Sequence, residues 1–289
     1  MLPVHLIINP AAGRGRAAKV LTEVVADLES RGVTFRVSET KSLDHARSLA
    51  ADASAAGEIA AAIGGDGLVG AVASATSKSS GLLAIIPGGR GNDLARVLGI
   101  PTDPAGSVGV LCGGRESAID LGEAEGSDFC CIASCGYDSD ANRIANEARL
   151  PGSIVYLYAA LRALMSWRPA NFRVWLDGEE TSFRGYSVAV ANSKAYGGGM
   201  FVAPDADLTD GLFDVVTISE GSKLRFLLRL PLVFNGKHTR AASVDVRRAS
   251  TVRIEADRPF TVFADGDPIC ELPATIKVRR DAVRVLLPR

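Results

Sequence analysis

No stretch of this 289-residue chain holds the run of about 18 apolar residues that an ordinary membrane-spanning helix needs. Charge of one sign is missing as well. The 32 Lys and Arg balance 33 Asp and Glu, and a net charge of −1 gives no basic field for gathering nucleic acid, which is not expected as a partner. Histidine is scarce, at 3 residues, and the 5 cysteines (Cys112, Cys130, Cys131, Cys135, Cys270) lack the paired spacing of a zinc site. An odd cysteine count with Cys130-Cys131 inside an apolar run reads as reduced, buried thiols, which points to the cytoplasm. The opening Met1-Leu-Pro-Val-His-Leu-Ile-Ile-Asn lacks a basic segment and reads as a strand, not as a secretory signal. Repeats and low-complexity tracts are absent, apart from alanine richness over Ala51 to Ala62.

What the chain does have is glycine in telling places. Two turns, Gly64-Gly65-Asp66-Gly67 and Pro87-Gly88-Gly89-Arg90-Gly91-Asn92-Asp93, each follow an apolar strand-like run and lead into a helical segment. Such turns present backbone N–H groups and a positive helix end above a sheet, a setting for a polyphosphate and its metal. The first part alternates strand and helix. Strands are expected at Val4 to Ile8, Thr34 to Ser38, Ile59 to Ile63 and Leu82 to Ile86. Helices are expected at Ala17 to Arg31, His45 to Ala56, Val69 to Ala75 and Leu94 to Leu98. That alternation implies a parallel sheet with helices on its faces and ligands at the carboxyl ends of the strands. A third turn, Asn9-Pro10-Ala11-Ala12-Gly13, falls at the same edge.

After Gly113-Gly114 short strands dominate, at Ser117 to Asp120, Phe129 to Ala133, Phe172 to Leu176, Tyr186 to Ala191, Phe213 to Ile218, Val252 to Glu255 and Thr261 to Ala264. Apolar helices at Ile154 to Trp167 and Leu224 to Phe234 interrupt them. Many short strands separated by turns read as an antiparallel sandwich or barrel. The expected organisation is an α/β nucleotide-binding domain over 1–118 and a β-rich domain over 119–273, with the final strand region, about 274–289, returning to the first. Ile154 to Trp167 is expected to be buried or to line an acyl pocket. Lys223 to Phe234 is expected to pack on the β domain with its basic residues outward, the other reading being a helix lying on an anionic bilayer.

Taken in order, the motifs resemble the diacylglycerol kinase catalytic family, which includes bacterial soluble lipid kinases and the sphingosine kinases. They are the Asn-Pro-x-x-Gly start, the Gly-Gly-Asp-Gly turn, the Asn92-Asp93-Leu94-Ala95-Arg96 segment, Asn192 with Gly197-Gly198-Gly199, Asp210-Gly211-Leu212-Phe213-Asp214 and Asp265-Gly266-Asp267. The resemblance spans essentially the whole chain. It implies a parallel-sheet domain like that of NAD kinases and phosphofructokinases, a β-sandwich second domain, and use of ATP and Mg2+ with the nucleotide in the interdomain cleft. The implied activity is phosphorylation of the hydroxyl of diacylglycerol or a similar lipid alcohol by a cytoplasmic enzyme attached peripherally to a membrane. Self-association into a homodimer is left open. An NAD kinase-like enzyme and a nucleotide-binding regulator with degraded catalysis are the alternatives.

Residue by residue, the resemblance implies nucleotide contacts from Asn9, Pro10, Gly13, Gly64, Gly65, Gly67, Gly88, Gly89, Arg90 and Asn92. Asp66 and Asp93 would hold magnesium, with Asp66 central to activity. Asp267 would be the general base, and Asp265 an orienting or metal-network partner. Asp210 and the Leu212 carbonyl would ligate a structural magnesium ion. Arg14, Lys19 and Arg96 match a basic cluster suited to phosphate or an anionic membrane. By composition alone, Asp265-Gly266 is equally a β-hairpin turn. The chain departs from the family's usual pattern at Leu68, Ala71, Arg90 (threonine in relatives) and Asp267 (glutamate in relatives). Arg90 reads as a substituted phosphate contact, because a guanidinium can bind phosphate oxygens bidentately.

Overall fold

The computed structural model describes residues 2–148 and 154–289. In chain order the elements of the first part are β1 (Val4–Ile8), α1 (Ala12–Ser30), β2 (Phe35–Glu39), α2 (Leu43–Ala55), β3 (Ile59–Gly64), α3 (Asp66–Ser79), β4 (Leu82–Pro87), α4 (Asp93–Val97), α5 (Pro104–Gly113) and β5 (Arg115–Ala124). The second part continues with β6 (Ser127–Phe129), β7 (Ile132–Gly136), α6 (Tyr137–Glu147), α7 (Ile154–Ser166), β8 (Ala170–Leu176), β9 (Glu179–Ala191), β10 (Phe213–Ser219) and α8 (Lys223–Arg229). Short 3-10 turns at Leu230–Asn235 and Lys237–Arg240 precede β11 (Val244–Ala249), β12 (Thr251–Ala256), β13 (Thr261–Ala264), β14 (Asp267–Glu271) and β15 (Ala274–Leu287). The chain forms two compact units, Met1–Asp120 with Arg280–Arg289, and Leu121–Arg279.

The first unit is an α/β layer structure. Its strands run parallel in the order β2-β1-β3-β4, in register Val4 with Phe35, Val4 with Ile59 and Ile59 with Leu82. The end of β15 adds a further parallel strand, Arg284 opposite Leu82. Every residue of β1, β3 and β4 is buried, as continuous apolar runs in a sheet covered on both faces must be. Helix boundaries follow local chemistry. Ser42 caps α2 by accepting the His45 N–H, and Asp103 caps α5 ahead of Pro104. At the start of α1, Gly13, Arg14 and Gly15 take left-handed backbone (φ 60°, 60° and 86°), so regular helix begins only after them.

The second unit is β-rich and antiparallel, with strand order β14-β13-β7-β9-β8-β12-β15. β9 changes partners along its length: Glu179–Gly185 pairs with β8, and Ser187–Ala191 lies between β7 and β10. Gly185 marks the change, where a Cβ would stand 2.2 Å from the Ile218 carbonyl oxygen. Alternate strand residues, among them Phe129, Phe172, Val188, Phe213, Val252 and Ile276, fill one core. A smaller aromatic cluster joins Tyr137, Trp167 and Tyr186 to Phe226 and Phe260.

One expectation about the apolar helices needs correcting. α7 buries Val155, Ala159, Ala163 and Leu164 but leaves Met165 76% exposed, so it is amphipathic and not wholly buried. α8 packs Phe226 and Leu227 against the aromatic cluster with Arg225 and Arg229 outward, as expected, while Leu224 and Leu228 are 65% and 70% exposed. Lys223 at its start donates to the carbonyls of Leu164 and Met165, capping the end of α7.

Candidate functional site

In the first unit the three glycine turns meet at the carboxyl edge of β1, β3 and β4. Asn9 accepts the Ala11 N–H through Oδ1 at 3.1 Å, fixing the first turn, whose Pro10 follows directly. Gly88 N–H donates to Gly64 C=O at 2.8 Å, joining the turn after β4 to the turn after β3. Glycine is required by contact here. A Cβ on Gly13 would lie 2.5 Å from the Gly88 oxygen, and one on Gly89 2.3 Å from the Gly65 Cα. At Gly67 the space beside the backbone is open. The successive left-handed residues Gly13, Arg14 and Gly15 add the kind of backbone concavity that receives anions.

Asp66 ties this cradle together. Its carboxylate accepts the N–H groups of Asn92 (2.9 Å), Asp93 (2.7 Å) and Leu94 (3.4 Å), the unpaired donors at the start of α4. A Cβ on Gly91 would stand 2.7 Å from Asp66 Oδ2 and 3.2 Å from Asp93 Oδ2, so two carboxylates converge over that glycine. Magnesium is commonly held by one or two carboxylates with phosphates and waters completing its shell, and this pair fits it. Among the described residues no group of three or more His, Cys, Asp and Glu converges.

Asn92 is buried at φ 53°, and its amide both accepts from Gly89 N–H and donates to Gly89 C=O, so it shapes the loop. Arg14, Lys19, Arg90 and Arg96 are exposed, with no hydrogen-bond or ion-pair partner among the described residues, and remain available to an anion. Leu68 and Ala71 are buried; Leu68 packs over Gly64, where a Cβ would come 2.8 Å from Leu68 Cδ2.

In the second unit, Asp265-Gly266 is the tight turn of the β13–β14 hairpin, with φ 51° and 98°. Its aspartate accepts the N–H groups of Cys130 (2.7 Å), Cys131 (2.9 Å) and Ile132 (3.1 Å). Nearby, Asn192 is fully buried and donates to the Cys130 carbonyl at 2.8 Å. The Asp265 carboxylate is therefore engaged in holding the hairpin to the start of β7. Asp267, opposite Ala264 in the ladder, is exposed. Cys130, Cys131 and Cys135 are buried, whereas Cys112 and Cys270 are half-buried, and burial pushes the Cys270 thiol up to about 11.

The magnesium site expected at Asp210 and Leu212 does not fit the residues found there. Asp210 Oδ1 accepts the Leu212 N–H at 2.9 Å, and Oδ2 is ion-paired with Arg248. Arg248 also reaches Asp214, at 3.6 Å. Burial, reinforced by Asp205, pushes the Asp214 carboxyl above its ordinary range. What the sequence missed altogether is a cavity of about 440 Å3, lined by Tyr137, Tyr186, Val216, Ile218, Phe226, Val233 and His238 among others. Its walls come from β9, β10, α6, α8 and the turns after α8, and no short motif marks them.

Residues 3–124 match the family model of the diacylglycerol kinase catalytic domain, and residues 131–287 match that of the YegS C-terminal NAD kinase beta sandwich-like domain. A diacylglycerol kinase of Mycobacterium tuberculosis (strain ATCC 25618 / H37Rv) is 36% identical, over 99% of this chain and 95% of its own. The chain belongs to the diacylglycerol kinase family. Within that family it also resembles a probable YegS-like lipid kinase of Pseudomonas putida, 30% identical over 91% of this chain and 89% of the relative. A crystal structure of a putative diacylglycerol kinase from Bacillus anthracis shares the fold, with a TM-score of 0.82 at 22% identity, covering 99% of this chain and 96% of that one. Against that background the departures at Leu68 and Ala71 are apolar residues folded into α3, while Arg90 stands exposed at the tip of the cradle.

Proposed function

We propose that this chain is an ATP- and magnesium-dependent lipid kinase that phosphorylates the hydroxyl of diacylglycerol, giving phosphatidate, or of a similar lipid alcohol. The observation that carries the reading is the meeting of three glycine turns with Asp66 and Asp93 in a member of the diacylglycerol kinase family. Phosphoryl transfer depends on positioning and charge neutralisation, and a backbone cradle beside paired carboxylates supplies both. Gly13, Gly64, Gly65, Gly88 and Gly89 let main-chain N–H groups approach phosphate oxygens. Asp66 and Asp93 would hold magnesium, which neutralises charge on the phosphates when bound. Arg90 contacts phosphate from the loop tip. Asp267 takes the proton from the acceptor hydroxyl, and Asp265 fixes the hairpin from which it works.

The acceptor's acyl portion lies in the apolar cavity of the second unit, which has room for several methylenes and is walled by Tyr186, Val216, Ile218 and Phe226. His238 lines it, and burial lowers its pKa, so the ring stays neutral beside the chains. Among the described residues no helix is long and apolar enough to cross a membrane. Exposed Met165, Leu224 and Leu228, interspersed with Arg162, Arg225 and Arg229, support attachment at a membrane surface from the cytoplasmic side.

Purified protein given labelled ATP and magnesium, with diacylglycerol, sphingosine, phosphatidylglycerol or NAD offered in mixed micelles, tests the reading. Labelled phosphatidate from diacylglycerol is the expected product. Phosphorylation of NAD, or ATP binding without turnover of any acceptor, would overturn it in favour of an NAD kinase-like enzyme or a regulator.

A further inference from the structure

A second cavity, of about 330 Å3, lies on the other side of α6 from the apolar one. Tyr137 and Ala141 line the apolar cavity, while Ser139, Asp140 and Arg143 line this one. Among the described residues, three guanidinium groups stand in its wall, Arg143, Arg168 and Arg258, against one carboxylate, that of Asp140, which lies 3.6 Å from Arg143. Arg258 stacks on both Trp167 (5.0 Å) and Phe260 (4.9 Å) and donates to the Arg168 carbonyl. Stacking fixes the plane of a guanidinium while leaving its remaining N–H donors unspent. Neither Arg168 nor Arg258 is paired with a carboxylate among the described residues. Trp167 itself is 96% buried by its 4% exposure, and its indole N–H has no hydrogen-bond partner.

We infer that this cavity is an anion site that takes a phosphate group, monoester or diester, between Arg168 and Arg258, beside the ring of Trp167. Phosphate oxygens accept from planar guanidinium forks without any rearrangement of charge in the wall. The excess of cations over Asp140 selects an anion, and the aromatic floor of Trp167 and Phe260 tolerates the apolar part of an esterified phosphate. The site stands at the end of α7, two residues from the exposed Met165, so the headgroup of an anionic phospholipid and a free phosphate are both within its chemistry. It is separate from the glycine cradle, which belongs to the other unit.

The chain has only 2 tryptophans, so Trp175→Phe leaves Trp167 as the sole reporter of its own site. In that background, tryptophan emission is followed while inorganic phosphate is added against chloride at matched ionic strength. Parallel titrations use vesicles of phosphatidylcholine alone and of phosphatidylcholine mixed with phosphatidylglycerol. A saturable change with inorganic phosphate identifies a site for free phosphate; a change with the mixed vesicles alone identifies a headgroup site. In either arm, Arg168→Gln and Arg258→Gln should each weaken the apparent affinity about tenfold or more. Arg168 is exposed, so its variant keeps the fold even where Arg258→Gln disturbs the aromatic packing. No response in either arm, or a response that Arg168→Gln leaves unchanged, would overturn the site.

Discussion

Two aspartates that look alike in sequence carry different loads. Asp265 receives three main-chain N–H groups from Cys130 to Ile132, while Asp267, two residues later, is exposed. Asp265→Ala strands those donors and places a residue without a compensating side chain at φ 51°. It should cost about 3 kcal/mol and lower the melting temperature by several degrees. Asp267→Asn should leave the melting temperature in place and lower kcat about 100-fold or more. A thermal scan beside a kinase assay reads both; equal melting losses for the two would contradict the division of labour. Asp66 combines the two roles, because the carboxylate proposed to hold magnesium also caps the start of α4. Asp66→Ala should therefore abolish turnover and also cost about 1–3 kcal/mol of stability. Near-normal turnover would remove Asp66 from the site.

At the scale of elements, the same distinction between local and distant information decides what was legible in the sequence. The apolar runs at Val4, Ile59 and Leu82 and the glycine turns after them announce themselves, since a buried parallel strand needs no partner's identity to be read. α5 escapes because Pro104 to Gly113 carries Gly106, Gly109 and Gly113 and has no polar face, so helical periodicity is absent. The Asp265 clamp and the Arg248 pairing are invisible for another reason: each joins residues far apart in the chain whose meeting only the sheet register creates. Arg248 faces Asp214 across β10 and β11 and reaches back to Asp210 ahead of them. With that guanidinium in place, chelation should leave the protein's melting temperature unchanged in the absence of nucleotide. Arg248→Ala should melt lower and recover part of the loss on addition of magnesium, as the exposed carboxylates accept a cation instead. A chelator-sensitive melting point in the unaltered protein, abolished by Asp210→Asn, would instead place a cation at Asp210.

At the scale of the whole molecule, each unit contains one buried histidine, and the two set the protein's response to mild acid. His5 lies within β1, fully buried, with Nε2 2.8 Å from Ser38 Oγ and Nδ1 3.9 Å from Glu58. Burial first, then the Arg36 guanidinium, lowers its pKa, and the Glu58 and Asp52 carboxylates only partly oppose that. His238 borders the apolar cavity, and there burial again lowers the pKa against the weaker pull of the Val202 carbonyl. Both folded states thus prefer the neutral ring, whereas the unfolded chain takes up protons as the pH falls through about 6.5. The unfolded state then binds more protons than the native one, so stability is fully present above that pH and declines below it until the native rings are protonated too. Asp214 acts in the opposite sense, since its raised pKa favours the native state on acidification, between that raised value and the ordinary 3.8 of a free aspartate. Melting temperatures measured from about pH 7.5 down to about pH 5 should therefore fall, with the steepest part just below 6.5. His5→Gln keeps a hydrogen-bonding amide beside Ser38 without a titrating ring, and His238→Gln does the same beside the Val202 carbonyl. Each should flatten part of the decline, and the double variant should flatten most of it. A melting temperature in the unaltered protein that holds level or rises between pH 6.5 and 5 would show that neither ring resists protonation in the fold.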